Sequence, residues 1–128
     1  MDQIKILMLK TLTDARGTLT IAENALPFEA RRTFWITSAD GQTRGGHRHH
    51  SNRQGLIAMT GTIDVFMDDG VKQETVVLNS PSQCLIVEPN HWHTMHFGAG
   101  SALLVFASHG YDVADYIDER YTHALNHD

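Results

Sequence analysis

Apolar residues along this chain come in short runs separated by Gly, Pro, Asp, Asn and Ser, with no helical period until the C-terminal end. Such runs, rich in Val, Ile, Thr, Phe and Trp, mark β-strands, because β-branched and aromatic side chains suit a pleated surface. The pattern predicts strands over Ile4–Leu9, Thr18–Ala22, Thr33–Thr37, Leu56–Thr60 and Thr62–Met67, then Val71–Leu78 after the tight turn Asp69-Gly70. It continues with Cys84–Val87, Trp92–Phe97 and Ala102–Ala107. Many short, even strands with turn residues between them predict a sandwich or barrel of the jelly-roll type. Only the end differs. In YDVADYIDERYTHAL, Val113, Tyr116, Ile117, Arg120 and Tyr121 fall at helical spacing, with Asp112 as N-cap. The expected fold is all-β with a short C-terminal helix. It forms one domain over residues 1–128, since no linker or low-complexity tract interrupts it.

Composition narrows the function more than the fold. Hydrophobic residues make up 41% of the chain and charged residues 20%, ordinary for a soluble globular protein, and no apolar run is long enough to span a bilayer. The opening MDQIKILMLK is split by Lys5 and followed by no small-residue cleavage site, so a cytoplasmic protein is expected. Cys84 is the one cysteine and sits in the apolar run QCLIV, which reads as an inert core thiol. A net charge of -5 argues against nucleic-acid binding, which rests on a basic surface. Arg16, Arg31, Arg32, Arg44, Arg48 and Arg53 nevertheless all fall in the first half. They allow either a local site for a phosphate or pyrophosphate or a merely solvated face.

The densest chemistry is RGGHRHH at residues 44–50. In a strand, His47 and His49 point to one face and Arg48 and His50 to the other. Gly45 and Gly46 are expected to bring the backbone close to a substrate. His50, His109, His123 and His127 read as surface residues. The order His47, His49, Gln54, Gly61 resembles the first cupin signature, and Pro89-Asn90-His91-Trp92-His93 stands where cupins carry their second turn and a later histidine. The resemblance implies a cupin-type double-stranded β-helix, a jelly-roll barrel. It departs from the family at the metal ligands: Gln54 replaces an acid, and His93 comes one residue early. A divalent ion needs a complete donor set with charge to balance it, so no metal is expected. Ligation through His96, or through some pairing of His91 and His93 with His47 and His49, is the alternative. A same-face pair of neutral imidazoles suits proton transfer instead, with an unperturbed pKa of about 6.5. Side chains that merely fill hydrogen bonds remain the plain alternative.

Across nearly the whole chain, ordered stretches resemble the nucleotide-sugar 3,4-ketoisomerases, the WxcM-like cupins. These are DARGTL, LPFEARRTFWI, RGGHRHH, Gln54, VFMDDG, LNSP, EPNHWHTMH and VFASHGYDVADYI. The resemblance implies an isomerase that converts a dTDP-4-keto-6-deoxyhexose to its 3-keto isomer for amino-sugar biosynthesis, as a homodimer and without a cofactor. It makes His47 and His49 the acid–base pair. Arg16, Arg32 and Arg44 become contacts for the pyrophosphate and sugar oxygens, with Gln54, His93 and Trp35 as further substrate-binding residues. Each arginine could equally be a surface ion pair. Gln54 could orient a histidine rather than meet a sugar, and Trp35 either stacks on the nucleotide base or joins the core, the pattern inclining to the core. Phe34 and Trp35 stand where relatives carry tyrosines. Two further readings stay open: a metal-dependent cupin enzyme, and a non-catalytic nucleotide-sugar binding module.

Overall fold

The computed structural model describes residues 4–121. Twelve strands follow one another: β1 (Ile6–Met8), β2 (Lys10–Asp14), β3 (Gly17–Ile21), β4 (Arg32–Ile36), β5 (Thr43–His49), β6 (Gln54–Thr60), β7 (Ile63–Asp68), β8 (Gln73–Leu78), β9 (Gln83–Val87), β10 (Trp92–Phe97), β11 (Ala102–Ala107) and β12 (Tyr116–Ile117). Two five-stranded antiparallel sheets, in the orders β1-β9-β6-β11-β4 and β12-β5-β10-β7-β8, pack face to face, and β2 pairs with β3 as a separate hairpin. Alternate residues of both sheets fill the space between them. Leu56, Leu85, Leu103 and Val105 from one sheet and Val65, Met67, Leu78 and Phe97 from the other share one buried cluster.

β6 and β9 break the alternation because both their faces are covered. Their second face carries Ile57, Cys84 and Ile86, on which Leu9, Leu26 and Phe28 pack. A strand buried on both sides reads as an unbroken apolar run, which is why QCLIV shows no period of two. Burial also pushes the Cys84 thiol up to about 11, leaving it protonated and inert.

The jelly roll is as expected, but as two facing layers. Among the described residues no ladder joins the sheets into a closed barrel, and β1, β4, β8 and β12 are edges. The first predicted strand is shorter than the pattern suggested. After Leu9 the chain enters β2, whose sequence KTLTD has no apolar run to announce it; its register with β3 sets Leu12 opposite Leu19. The C-terminal helix is reduced to one 3-10 turn, Val113–Asp115, which Asp112 caps by accepting from the Ala114 amide (3.0 Å). The chain then extends into β12, setting Tyr116 opposite His49 and Ile117 opposite Arg48. An open strand edge at β5 satisfies that backbone, and packing outweighs local helical propensity. The predicted helix beyond Tyr121 lies outside the described residues. No helix among them is long and apolar enough to cross a membrane.

Candidate active site

Gly45 and Gly46 both take positive φ, 93° and 81°. At this point β5 slips against β10: His47 opposes His93, while Gly45 opposes Thr94 and Arg44 opposes Met95. One extra residue on β5 makes a β-bulge. In a regular strand Arg44 and His47, three positions apart, would point to opposite faces. The bulge turns both toward the face that His93 and Met95 occupy. Glycine is required for it, because a Cβ on Gly45 would sit 2.8 Å from the His93 carbonyl oxygen. The two glycines thus re-aim the side chains beside them, and Gly45 itself lies on the cavity wall.

A cavity of about 330 Å³ lies at this bulge. Arg32, Arg44, His47, Gln54, His93 and Tyr116 supply its polar lining, and Phe34, Leu56, Met95 and Val105 its apolar lining. Three imidazoles converge there. The His47 ring centroid is 5.0 Å from that of His49 and 5.4 Å from that of His93, and His49 and His93 lie 6.4 Å apart. His49 is buried against the rings of His47 and Tyr116 and does not itself line the cavity. Its Nδ1 is 3.1 Å from Asp115 Oδ2, and His93 Nδ1 is 3.1 Å from the His91 carbonyl oxygen. A carboxylate and a carbonyl only accept, so both Nδ1 atoms donate and both Nε2 atoms are left with lone pairs. His49 Nε2 is buried with no partner among the described residues.

Burial lowers the basicity of all three histidines. For His47 the Asp118 charge and a bond to the Gly45 backbone work against that shift. For His49 the neighbouring His47 adds to it, while Asp115 opposes it. Fully buried His93 falls to about 3. All three are therefore neutral at neutral pH, the form in which an imidazole accepts a proton. Asp115 is fixed in turn, taking the Ser51 amide on Oδ1 (2.8 Å) and the Asn52 amide on Oδ2 (3.1 Å). Burial acts to raise the Asp115 pKa, but those two amides and His49 outweigh it and hold the carboxyl below its usual range. An ionised carboxylate, an oriented imidazole and an available Nε2 form the arrangement of a general base. Among the described residues, no group of three or more His, Cys, Asp and Glu is placed to hold a metal ion. His96 is exposed and bonds Thr43 (3.0 Å).

Arg32 and Arg44 give the cavity two guanidinium groups, and among the described residues no carboxylate lines it, a lining suited to anions. Arg32 is held over the Phe34 ring (4.4 Å) and near Tyr111 (5.5 Å). Gln54 and His93 share this lining. Trp35 is not core. On the edge strand β4 it points outward, 69% exposed, and touches the cavity from its rim. Arg16 stands apart at the β2–β3 turn, its exposed side chain paired with Asp14 at 2.6 Å, and it does not line the cavity. Arg48 faces away, over the Tyr121 ring (4.0 Å) and donating to the Glu119 carbonyl (3.1 Å). The sequence reading missed Asp115 and Tyr116. Their only signal is the segment DVADYI, whose period is helical, and no spacing rule links Asp115 to a histidine 66 positions away.

Comparison with known proteins agrees with this architecture. The family model "FdtA: WxcM-like, C-terminal" matches residues 2–126. The TDP-4-oxo-6-deoxy-alpha-D-glucose-3,4-oxoisomerase of Aneurinibacillus thermoaerophilus is 38% identical over 117 residues, covering 88% of this chain and 84% of that protein. The TDP-quinovose 3,4-ketoisomerase WlaRB of Campylobacter jejuni superposes with a TM-score of 0.88 at 38% identity, over 93% of this chain and 95% of its own. A histidine-to-asparagine mutant of the 3,4-ketoisomerase QdtA of Thermoanaerobacterium thermosaccharolyticum, solved with TDP-4-keto-6-deoxyglucose, gives 0.87 at 33% identity, over 91% and 87%. With near-complete coverage in sequence and in structure, this chain belongs to the WxcM-like family of sugar 3,4-ketoisomerases.

Proposed function

We propose that this enzyme converts a dTDP-4-keto-6-deoxyhexose to its 3-keto isomer, with His47 and His49 as the acid–base pair and no step through a metal. The hydrogen at C3 is acidic because the neighbouring C4 ketone takes up the charge as an enediolate. A neutral imidazole removes it, a guanidinium beside the cavity steadies the oxyanion, and return of the proton at C4 leaves the ketone at C3. His47 stands on the wall with His49 directly behind it, so the proton passes at His47 or, once that ring turns aside, at His49 Nε2. Arg32 and Arg44 bind the diphosphate or sugar oxygens, for which guanidinium forks are suited. Gln54 and His93 meet sugar hydroxyls, and Trp35 at the rim stacks on the base. The product carries its ketone where amination would make a 3-amino sugar.

The observation that carries this reading is the Asp115–His49 hydrogen bond, set against His47 beside a cavity that two arginines and, among the described residues, no carboxylate line. The test is incubation with dTDP-4-keto-6-deoxyglucose, followed by NMR. Conversion by the pure protein, lost in His49→Asn, is expected; no conversion, or full activity in that variant, defeats the reading. Dialysis against a strong chelator should leave the rate unchanged, whereas loss restored by a divalent ion would move the chemistry to a metal.

The enzyme is further proposed to act as a homodimer. Leu12 and Leu19 face one another across the β2–β3 hairpin and are 51% and 59% exposed, an apolar pair that a second copy would cover. Sedimentation should give twice the chain mass, and Leu12→Asp with Leu19→Asp should lower it.

A further inference from the structure

The isomerisation moves two protons, and the histidine pair accounts for one of them. The carbon-bound proton leaves C3 and is returned at C4. Over the same cycle O4 must gain a proton and O3 must lose one. While an imidazole holds the carbon proton it is an imidazolium, committed to giving that proton to C4. The oxygen exchange needs a second group that can both donate and accept.

The cavity lining narrows the choice. The guanidinium groups of Arg32 and Arg44 do not give up a proton near neutrality, and the Gln54 amide and Trp35 indole do not cycle between donor and acceptor states. His93 commits its one N–H to the His91 carbonyl. Phe34, Ile36, Leu56, Met95 and Val105 have nothing to offer. Tyr116 carries the one O–H among the described residues that line the cavity. Its ring lies 4.7 Å from that of His47 and 4.5 Å from that of His49. Tyr116 is half-buried, and its hydroxyl has no hydrogen-bond partner among the described residues. Backbone pairing of β12 fixes it directly opposite His49.

Resting on the isomerase reading above, we propose that Tyr116 is the oxygen-side proton relay. As the C3–H bond breaks toward imidazole, the C3=C4 bond forms and the carbonyl pair moves to O4, which takes the Tyr116 proton. O3–H then passes its proton to the phenolate oxygen, the O3 pair makes the new C3=O bond, and the C3=C4 pair takes the proton from the imidazolium at C4. Tyr116 ends as it began, and no oxidant or co-reactant enters. The two oxygens of an enediolate are adjacent and coplanar, so one hydroxyl can serve both within hydrogen-bond reach.

Tyr116→Phe removes the oxygen and keeps the ring. Wild type and variant are followed by NMR in D2O with dTDP-4-keto-6-deoxyglucose, reading exchange of the C3 hydrogen and appearance of the 3-keto isomer separately. The variant should lose about 10²-fold in isomerisation while exchange, which needs only the imidazole and an oxyanion contact, falls much less. The ratio of exchange to isomerisation should therefore rise by at least about tenfold. An unchanged isomerisation rate, or a parallel loss of both rates, overturns the relay while leaving the isomerase reading intact. A wild-type protein that neither exchanges nor isomerises overturns that reading and the relay with it.

Discussion

Asp115 binds three donors with two oxygens: the Ser51 and Asn52 amides and His49 Nδ1. Asparagine there keeps the shape but offers one acceptor oxygen, so the imidazole is no longer held in its Nδ1–H form and a buried amide loses its partner. Asp115→Asn should lower kcat by about 10²- to 10⁴-fold with a smaller change in KM, and cost about 1–3 kcal/mol of stability. Steady-state kinetics and urea unfolding check the two effects. The same site sets the pH response. With His47 and His49 both below their ordinary pKa, the proposed base stays neutral further into acid than a free imidazole. The acid limb of kcat/KM should have its midpoint below about 6.5; a midpoint above it would mean that another group is the base. At this scale the histidines were legible, because HxH on a strand makes a shared face wherever it occurs. Asp115 was not, because its role exists only once the C-terminal turn lies across the end of β5.

β5 differs from a regular strand by one residue, and that residue decides the site. With Gly45 and Gly46 in the bulge, Arg44 and His47 reach the same cavity. Gly45→Ala forces a Cβ against the His93 carbonyl oxygen at 2.8 Å in a positive-φ conformation. It should cost about 1–3 kcal/mol and reduce activity, since the bulge must shift and carry Arg44 with it. Gly110→Ala, where an added Cβ meets nothing within 4 Å, is the matched control and should leave both stability and rate near wild type. The longer apolar strands, Ile63–Asp68 and Ala102–Ala107 among them, were visible as patterns. β2 and β12 were not. One is too polar to announce itself, and the other has a helix-like period overridden by the open edge of β5.

For the molecule as a whole, four lowered histidines place its weakness to acid unusually high. His47, His49, His91 and His93 all take up protons less readily than an exposed imidazole. Between their folded values and about 6.5 the unfolded chain binds more protons, so stability is intact above that range and falls as pH drops through it. For His93 the window runs from about 6.5 down to about 3, with a slope of about 1.4 kcal/mol per pH unit. Urea midpoints should fall between pH 7 and pH 5, well before the lowered carboxylates of Asp115 and Glu88 begin to protonate. A flat profile over that interval would contradict the burial of the histidine cluster.

Apolar periodicity and residue spacing are local properties, and they determined that this chain is all-β and that His47 and His49 share a face, while the cupin resemblance set Gln54 where an acidic ligand would stand. The family resemblance was also written in ordered motifs along the chain. Tertiary structure decided what depends on distant segments meeting: the bulge that sets Arg44 beside His47, the exposure of Trp35, the removal of Arg16 from the cavity, and the strap that brings Asp115 and Tyr116 to His49. The strap's contacts join residues more than sixty positions apart, for which burial and strand pairing, rather than spacing, choose the neighbours.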